Sequence, residues 1–353
     1  MLDEVETPAL VVDCERLDAN IRRLADQIAG VKGVALKPHF KTHKSVAVAQ
    51  RQIAAGAAGI TCQTVAEAEA LVDGGVCEVV LSNEIVGRAR CLRLARLARR
   101  ARVTVCADNV VHADHLSTAA VAVGATLHVL VEIDVGGGRC GTRPGADAAV
   151  LARYISNKPG LRFVGLQAYN GRAQHYREPM ARAEAVDRAL TLVALTVAAI
   201  EAVGLACDVV AGAGTGSFAN ELSSGVYTEL QCGSYVFMDA DYARNATADP
   251  FAHALFVLTS VISVGRDGHA VCDAGLKALS TDSGRPLVYL RPDVVYRSAS
   301  DEHGTLASRG DLVVGSRLML VPGHCDPTVN MHDWLVAVRA DRVEDVWPVA
   351  RGR

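Results

Sequence analysis

Short apolar runs alternate with helical stretches through the first part of the chain, and this alternation predicts the fold. Thr7–Val12 reads as a strand, and Cys14–Ala29 has helical spacing through Leu17, Ile21, Leu24 and Ile28. Eight more apolar runs read as strands: Val34–Leu36, Gly59–Cys62, Glu78–Leu81, Arg102–Cys106, Thr126–Ile133, Arg162–Ala168, Asp208–Ala211 and Thr228–Cys232. Helices are expected between them at Ser45–Ala55, Thr64–Asp73, Arg88–Arg99, Ala146–Ile155 and Glu178–Val203. Such regular alternation predicts an α/β chain built on a parallel (β/α)8 barrel of the TIM type. After about Ala246 the texture changes. Val257–Val264, His269–Ala274, Leu287–Tyr289, Leu312–Val314, Arg317–Val321, Trp334–Arg339 and Arg342–Trp347 are short, β-rich and separated by turn residues. They predict an antiparallel β domain. The expected division is a barrel over 13–245 and a β domain over 246–353, with the N-terminal strand 1–12 joined to the latter.

Composition narrows the function classes. At 353 residues, 50% of them hydrophobic, the chain can bury a large core. A net charge of −3 and the absence of a Lys/Arg block argue against nucleic acid or an anionic membrane as partner. The Arg-rich stretch Arg88–Arg102 is interleaved with Leu92, Leu94, Ala95 and Leu97, as an amphipathic surface helix would be. Ten cysteines are scattered without CxxC spacing and read as reduced, mostly buried thiols. The start has neither basic nor apolar signal-peptide character, and no apolar run is long enough to span a bilayer. A cytoplasmic protein acting on a small molecule is expected.

Six segments could carry chemistry. In Lys37-Pro38-His39-Phe40-Lys41-Thr42-His43-Lys44, the side chains of His39, Lys41 and His43 are spaced by two. On a strand continuing from Val34 they would share one face at the barrel mouth, where catalytic groups of such barrels sit. A lysine held among histidines and barrel-interior residues can lose its proton and form a Schiff base; a basic surface turn is the plain alternative. Glycines in Asp134–Gly141 let backbone approach a ligand, and Arg139 could meet a phenolate or carboxylate. Ala211–Ser217 and Gln231–Tyr235 follow the seventh and eighth barrel strands, where backbone N–H groups commonly hold a phosphate. Neither is a P-loop. Tyr169 and His175, after the sixth barrel strand, lie where they could flank a substrate, and Arg172 or Arg177 could pair with a carboxylate. Finally, His324 and Asp326 are one residue apart and would share a face on an extended segment. An N/O pair with water completing the sphere suits Mn, Mg or Zn. His303 is a candidate supporting group.

Together these motifs resemble the fold-type III pyridoxal-phosphate enzymes, the alanine racemase-like barrels, and within them the D-threonine aldolase and D-serine dehydratase group. The family motif Arg-Pro-His-x-Lys-Thr-His-Lys matches Lys37–Lys44, with Lys in place of the initial Arg. The resemblance makes Lys41 the Schiff-base lysine and places Arg139 on the cofactor's phenolate oxygen. It implies phosphate contacts from Gly214, Thr215, Gly216, Gly233, Ser234 and Tyr235. Alanine racemases carry an Arg where Gln231 falls, against the pyridine nitrogen, so a plain racemase is disfavoured. Dehydratases of the group use His-x-Cys as metal ligands, whereas aldolases use His-Cys-Asp, as at His324–Asp326. The strings Gly165–Gly171, Glu229–Tyr235 and Val321–Pro327 look most like 3-hydroxyaspartate aldolases.

The resemblance implies a lyase that cleaves β-hydroxy-D-amino acids by a retro-aldol reaction, with 3-hydroxyaspartate giving glycine and glyoxylate, or D-threonine giving glycine and acetaldehyde. Pyridoxal phosphate and a divalent metal are the expected cofactors, and a homodimer the expected assembly. His43, His175 and a metal-bound hydroxide are candidate bases, and the sequence does not choose among them. Two rivals remain at this stage: a metal-assisted dehydratase releasing ammonia and a keto acid, and a non-catalytic pyridoxal-phosphate-binding protein.

Overall fold

A computed structural model describes residues 1–247 and 250–352. Two compact units make up the chain, one of Leu24–Lys41 and Ala49–Gly233, the other of Met1–Arg23, Thr42–Val48 and Ser234–Arg351.

The first unit contains the parallel barrel. After β1 (Ala9–Asp13) and α1 (Cys14–Ala29), the chain runs β2 (Ala35–Leu36), α2 (Val46–Ala54), β3 (Ile60–Cys62), α3 (Val65–Asp73), β4 (Glu78–Glu84), α4 (Arg88–Leu97) and β5 (Arg102–Ala107). It continues through α5 (Val110–Val123), β6 (Leu127–Glu132), α6 (Ala146–Ser156), β7 (Leu161–Gln167), α7 (Pro179–Ala202), β8 (Val209–Gly212), α8 (Phe218–Ser223) and β9 (Glu229–Leu230). The sheet order is β2-β9-β8-β7-β6-β5-β4-β3. Ladder bonds from Ala58 N–H to Leu36 O and from Thr61 N–H to Pro38 O, with a bridge between His39 and Thr61, join β2 to β3 and complete the ring. All eight expected barrel strands are present. Local chemistry sets the helix ends. Thr64 and Glu67 form a capping box at the start of α3. Asn109 caps α5, which Gly124 ends in the left-handed conformation. Pro179 opens α7. Val80, Cys106, Leu130, Val164 and Ala211, one from each of five successive strands, cluster in the core.

The second unit is β-rich. To β1 it adds β10 (Leu255–Val264), β11 (His269–Cys272), β12 (Leu287–Val288), β13 (Val294–Ala299), β14 (Gly304–Ser308), β15 (Arg317–Val321), the short helix α9 (Cys325–Val329), β16 (Trp334–Arg339) and β17 (Arg342–Pro348). The order is β13-β14-β11-β10-β1-β16-β17, with β15 joining β10 to β12. Every pair is antiparallel except β1 with β16. The N-terminal strand lies between β10 and β16, which is why its side chains Leu10, Val11 and Val12 are buried. One expected strand fails: Leu312–Val314 is a loop and turn, with Val313 and Val314 exposed at 63% and 67%. Apolar residues without a neighbouring strand make no ladder. β13 and β14 were not foreseen from the sequence.

Candidate functional site

Lys41 stands just beyond the C-terminal end of β2, but not on an extended strand. Phe40–Thr42 forms a 3-10 turn, which breaks the expected alternation of His39, Lys41 and His43 on one face. The turn has a local cause: the backbone N–H of Lys41 donates to the His39 ring at Nδ1, 3.3 Å away. On its other side the His39 ring is gripped at Nε2 by Ser82 Oγ (3.2 Å) and the Gln63 side-chain amide (3.0 Å). His39 therefore fixes the backbone that presents Lys41. His43 is fully buried in the β-rich unit, edge-on to Phe237, and its Nδ1 accepts the Ser45 N–H at 3.2 Å. A neutral ring held this way carries its proton on Nε2.

A directional polar chain runs through the barrel interior. The Lys37 ammonium lies 2.5 Å from Glu229 and 2.6 Å from Glu78. Burial pulls the Lys37 pKa down, but the two carboxylates, Glu229 foremost, outweigh it and hold the ammonium above its ordinary value. Gln231, two residues on and on the same face, donates its Nε2 to Glu229 at 3.1 Å. Gln167 Nε2 then donates to Gln231 Oε1 at 2.8 Å. A carboxylate only accepts, so Glu229 fixes the orientation of both amides in turn. The chain ends on Gln167 Oε1, which is buried and has no hydrogen-bond partner.

Around the glycine-rich loop after β6, Asp134 Oδ1 accepts the N–H groups of Gly136 and Gly138. These backbone bonds hold its carboxyl below the usual range against the opposing effect of burial. Arg139 is 60% exposed, 3.7 Å from Glu132, with its guanidinium 5.7 Å from the Tyr169 ring. Burial first, and then the Glu84 carboxylate, push Glu132 up to about 8. After β8, the loop at Gly214–Gly216 is braced by Gln174, fully buried. Its Nε2 donates to Ser217 Oγ (2.7 Å) and Asn170 O (3.2 Å), and its Oε1 accepts the Gly216 N–H (2.9 Å). A β-carbon at Gly214 would lie 2.5 Å from Gln174 Oε1, so any side chain there would displace the Gln174 amide. His175 ends the 3-10 turn Arg172–His175 and is exposed; the Arg172 guanidinium lies against Gly138. Ser234 and Tyr235 are buried in the β-rich unit, Tyr235 edge-on to Phe251.

His324 and Asp326 are not both on an extended segment, as the sequence suggested. His324 is extended and caps α9, whereas Asp326 sits in the first turn of that helix. Pro327 is tolerated there because a first-turn N–H has no helical partner. Cys325, between them, is fully buried, and burial holds its thiol well above the ordinary value, so it stays protonated. Asp239, also fully buried, accepts the N–H groups of Tyr242 and Cys325 and anchors the turn. Burial pushes it up to about 6. Among the described residues, no group of three or more His, Cys, Asp or Glu side chains converges on a metal position. His303 is exposed in the turn before β14.

The structure thus draws Arg139 to Tyr169, and Gln231 to Gln167. Sequence reasoning missed Lys37, Glu229 and Gln167 as one unit, as well as Gln174 and Asp239. The i, i+2 spacing of Glu229 and Gln231 was the only legible sign of the first group. All ten cysteines are free thiols, seven of them buried. No helix among the described residues is long and apolar enough to cross a membrane.

Residues 12–241 match the model of the alanine racemase N-terminal domain, and residues 254–338 that of a putative serine dehydratase domain. The chain is 47% identical to the 3-hydroxy-D-aspartate aldolase of Paracoccus denitrificans over 99% of its own length and 93% of the relative's. The crystal structure of D-threonine aldolase from Filomicrobium marinum superposes with a TM-score of 0.97 at 48% identity, covering 99% of this chain and 96% of that one. The D-threo-3-hydroxyaspartate dehydratase of a Delftia species is more distant, 30% identical over 99% of this chain and 98% of the relative. The chain belongs to the alanine racemase-like barrel enzymes, in the branch of the D-threonine aldolases and D-serine dehydratases. Pyridoxal phosphate is the cofactor of that fold-type III family. The barrel fits it: an amine at Lys41, a cation at Arg139, a glycine loop in which a β-carbon at 214 would displace the Gln174 amide, and a buried acceptor at Gln167 that lacks a donor.

Proposed function

We propose that this protein is a pyridoxal-phosphate- and divalent-metal-dependent lyase that cleaves β-hydroxy-D-amino acids at the Cα–Cβ bond, releasing glycine and an aldehyde. 3-Hydroxyaspartate, giving glyoxylate, and D-threonine, giving acetaldehyde, are the substrates we assign. The observation that carries the aldolase over the dehydratase is the donor set at 324–326, a histidine and a carboxylate flanking a buried cysteine. Identity near 47% to an aldolase against 30% to a dehydratase supports the same reading.

In this reading the barrel over 13–245 is the cofactor domain, and 246–353 with strand 1–12 the metal-carrying domain. Lys41 would hold the cofactor's carbonyl carbon through its amine. Arg139 would meet the phenolate oxygen, with Tyr169 beside it. Gln231, its amide held by Glu229, would meet the ring nitrogen. Gly214, Thr215, Gly216, Gly233, Ser234 and Tyr235 would hold the phosphate. Pyridoxal phosphate, when bound, takes up the electron pair released as Cα–Cβ breaks. A divalent metal (Mn, Mg or Zn), when bound to His324 and Asp326, lowers the pKa of the β-hydroxyl. His175 and His43 are the side chains we assign as alternative acceptors of the hydroxyl proton. The assembly is a homodimer, and the reduced cysteines suit the cytoplasm.

A product assay tests the proposal. Purified protein with pyridoxal phosphate and Mn or Mg is offered D-threonine and the D-3-hydroxyaspartate isomers, with an EDTA control. Glycine plus an aldehyde, lost with EDTA, is expected. Ammonia plus a keto acid would move the protein to the dehydratases.

A further inference from the structure

His324 does not stand alone in its turn. Its Nδ1 lies 2.9 Å from Asp282 Oδ2 and 3.4 Å from Ser283 Oγ. Asp282 is itself held: Ser280 Oγ donates to its Oδ1 at 2.7 Å, and Ser283 Oγ to its Oδ2 at 3.1 Å. The two segments are tied again one turn further on. Thr328 Oγ1 donates to the His324 carbonyl at 2.8 Å and accepts the Ser280 N–H at 3.1 Å. Their backbones also touch, because a β-carbon at Gly323 would lie 2.1 Å from the Gly284 carbonyl oxygen. Segment 280–284 therefore forms a clasp on the segment that carries His324, closed by hydrogen bonds at Ser280 and Asp282 and by a glycine contact at its Gly284 end.

We infer that Asp282 is the positioning residue of the metal site: it holds the proton of His324 on Nδ1 and turns the Nε2 lone pair toward the metal. A ligating imidazole binds through one nitrogen, and the partner of its other nitrogen selects the tautomer and fixes the ring plane. A carboxylate is the partner that does this most strongly, since it can only accept and it adds negative charge to a ligand of a cation. With only two protein ligands, His324 and Asp326, ring orientation matters more than in a four-ligand cage, because no other side chain corrects a misaligned imidazole. Asp282 itself is spent on the ring and on two serines, so its role is to orient the ligand and not to bind the ion. Neither the 280–284 segment nor Asp282 was visible as functional in the sequence, 42 residues before its partner.

The inference rests on the reading of His324 and Asp326 as metal ligands, and metal binding separates the two without any assay of turnover. Mn2+ is titrated into the pyridoxal-phosphate-loaded full-length protein, and free Mn2+ is read by electron paramagnetic resonance. Asp282→Ala should weaken Mn2+ binding by about 10- to 100-fold. Asp282→Asn should lose less, because its amide oxygen still accepts the Nδ1 proton. Ser280→Ala, which keeps the carboxylate but loosens it, should show a smaller loss in the same direction. In long-range 15N spectra, the His324 ring should lose its Nδ1–H signature in Asp282→Ala and keep it in Asp282→Asn, a change that loosened packing alone would not produce. Mn2+ affinity within twofold of the wild type in Asp282→Ala overturns the inference. Equal losses in the Ala and Asn variants also overturn it, by making Asp282 a ligand. Absence of Mn2+ binding by the wild type overturns both this inference and the metal assignment beneath it.

Discussion

The Lys37 ammonium and the Glu229 carboxylate meet at 2.5 Å inside the barrel, and the same carboxylate orients Gln231. A buried ion pair adds little net stability, but removing one partner strands the other charge in a low-dielectric interior. Here the pair also sets the direction of the amide chain from Gln231 to Gln167, so stability and the orientation of both amides depend on one contact.

Lys37→Met is accordingly expected to destabilise the protein by about 3–5 kcal/mol. Adding Glu229→Gln should restore part of that loss, since the buried charge is gone, while leaving the Gln231 amide without its fixed acceptor. Urea unfolding of the single and double variants measures the first effect, and pyridoxal-phosphate affinity the second. A Lys37→Met protein as stable as the wild type would remove the ion pair from any structural role.

Gly214→Ala places a methyl 2.5 Å from Gln174 Oε1, a side chain tied by three hydrogen bonds. Because Gln174 cannot yield without breaking at least one of them, a cost of about 1–3 kcal/mol is expected. Cofactor binding should weaken in parallel. Thermal unfolding with and without pyridoxal phosphate gives both numbers, and a smaller shift of Tm by the cofactor is the expected sign.

Glu132 carries a pH dependence of known sign. Its pKa is raised in the folded state to about 8, from 4.5 for an ordinary glutamate. The folded protein therefore holds a proton that the unfolded chain releases. Stability from this group is fully present below about 4.5 and declines as pH rises toward 8. Glu132→Gln should flatten that decline, leaving the variant more stable than the wild type near pH 8. Chemical unfolding at several pH values tests it; an unchanged slope would show that Glu132 ionises normally.

Lys41→Ala should abolish the visible absorbance band of lysine-bound pyridoxal phosphate and reduce product formation below detection. The change in the spectrum is the sharper readout, since it does not depend on the substrate chosen. Retention of the band would assign the bond to another lysine.

The sequence by itself determined the strand order of the barrel and the two architectures, although it missed β13 and β14. Periodicity near 3.6 and near 2 located the helices and strands, because burial acts on each element through its own repeat. Glycine runs and the His-x-Asp spacing stood out as candidate chemistry, because those residue types are uncommon in such density without a use. Tertiary structure alone decided how these groups are held. The 3-10 turn at Lys41 depends on a histidine ring gripped by Ser82 on β4 and Gln63 just after β3, and the orientation of Gln231 on a carboxylate, Glu229, paired with Lys37. Gln174 and Asp282 reach their partners across 42 positions each. Hydrogen-bond direction and close backbone approach depend on which atoms converge in space, and a linear pattern of hydrophobic and polar residues carries no record of that.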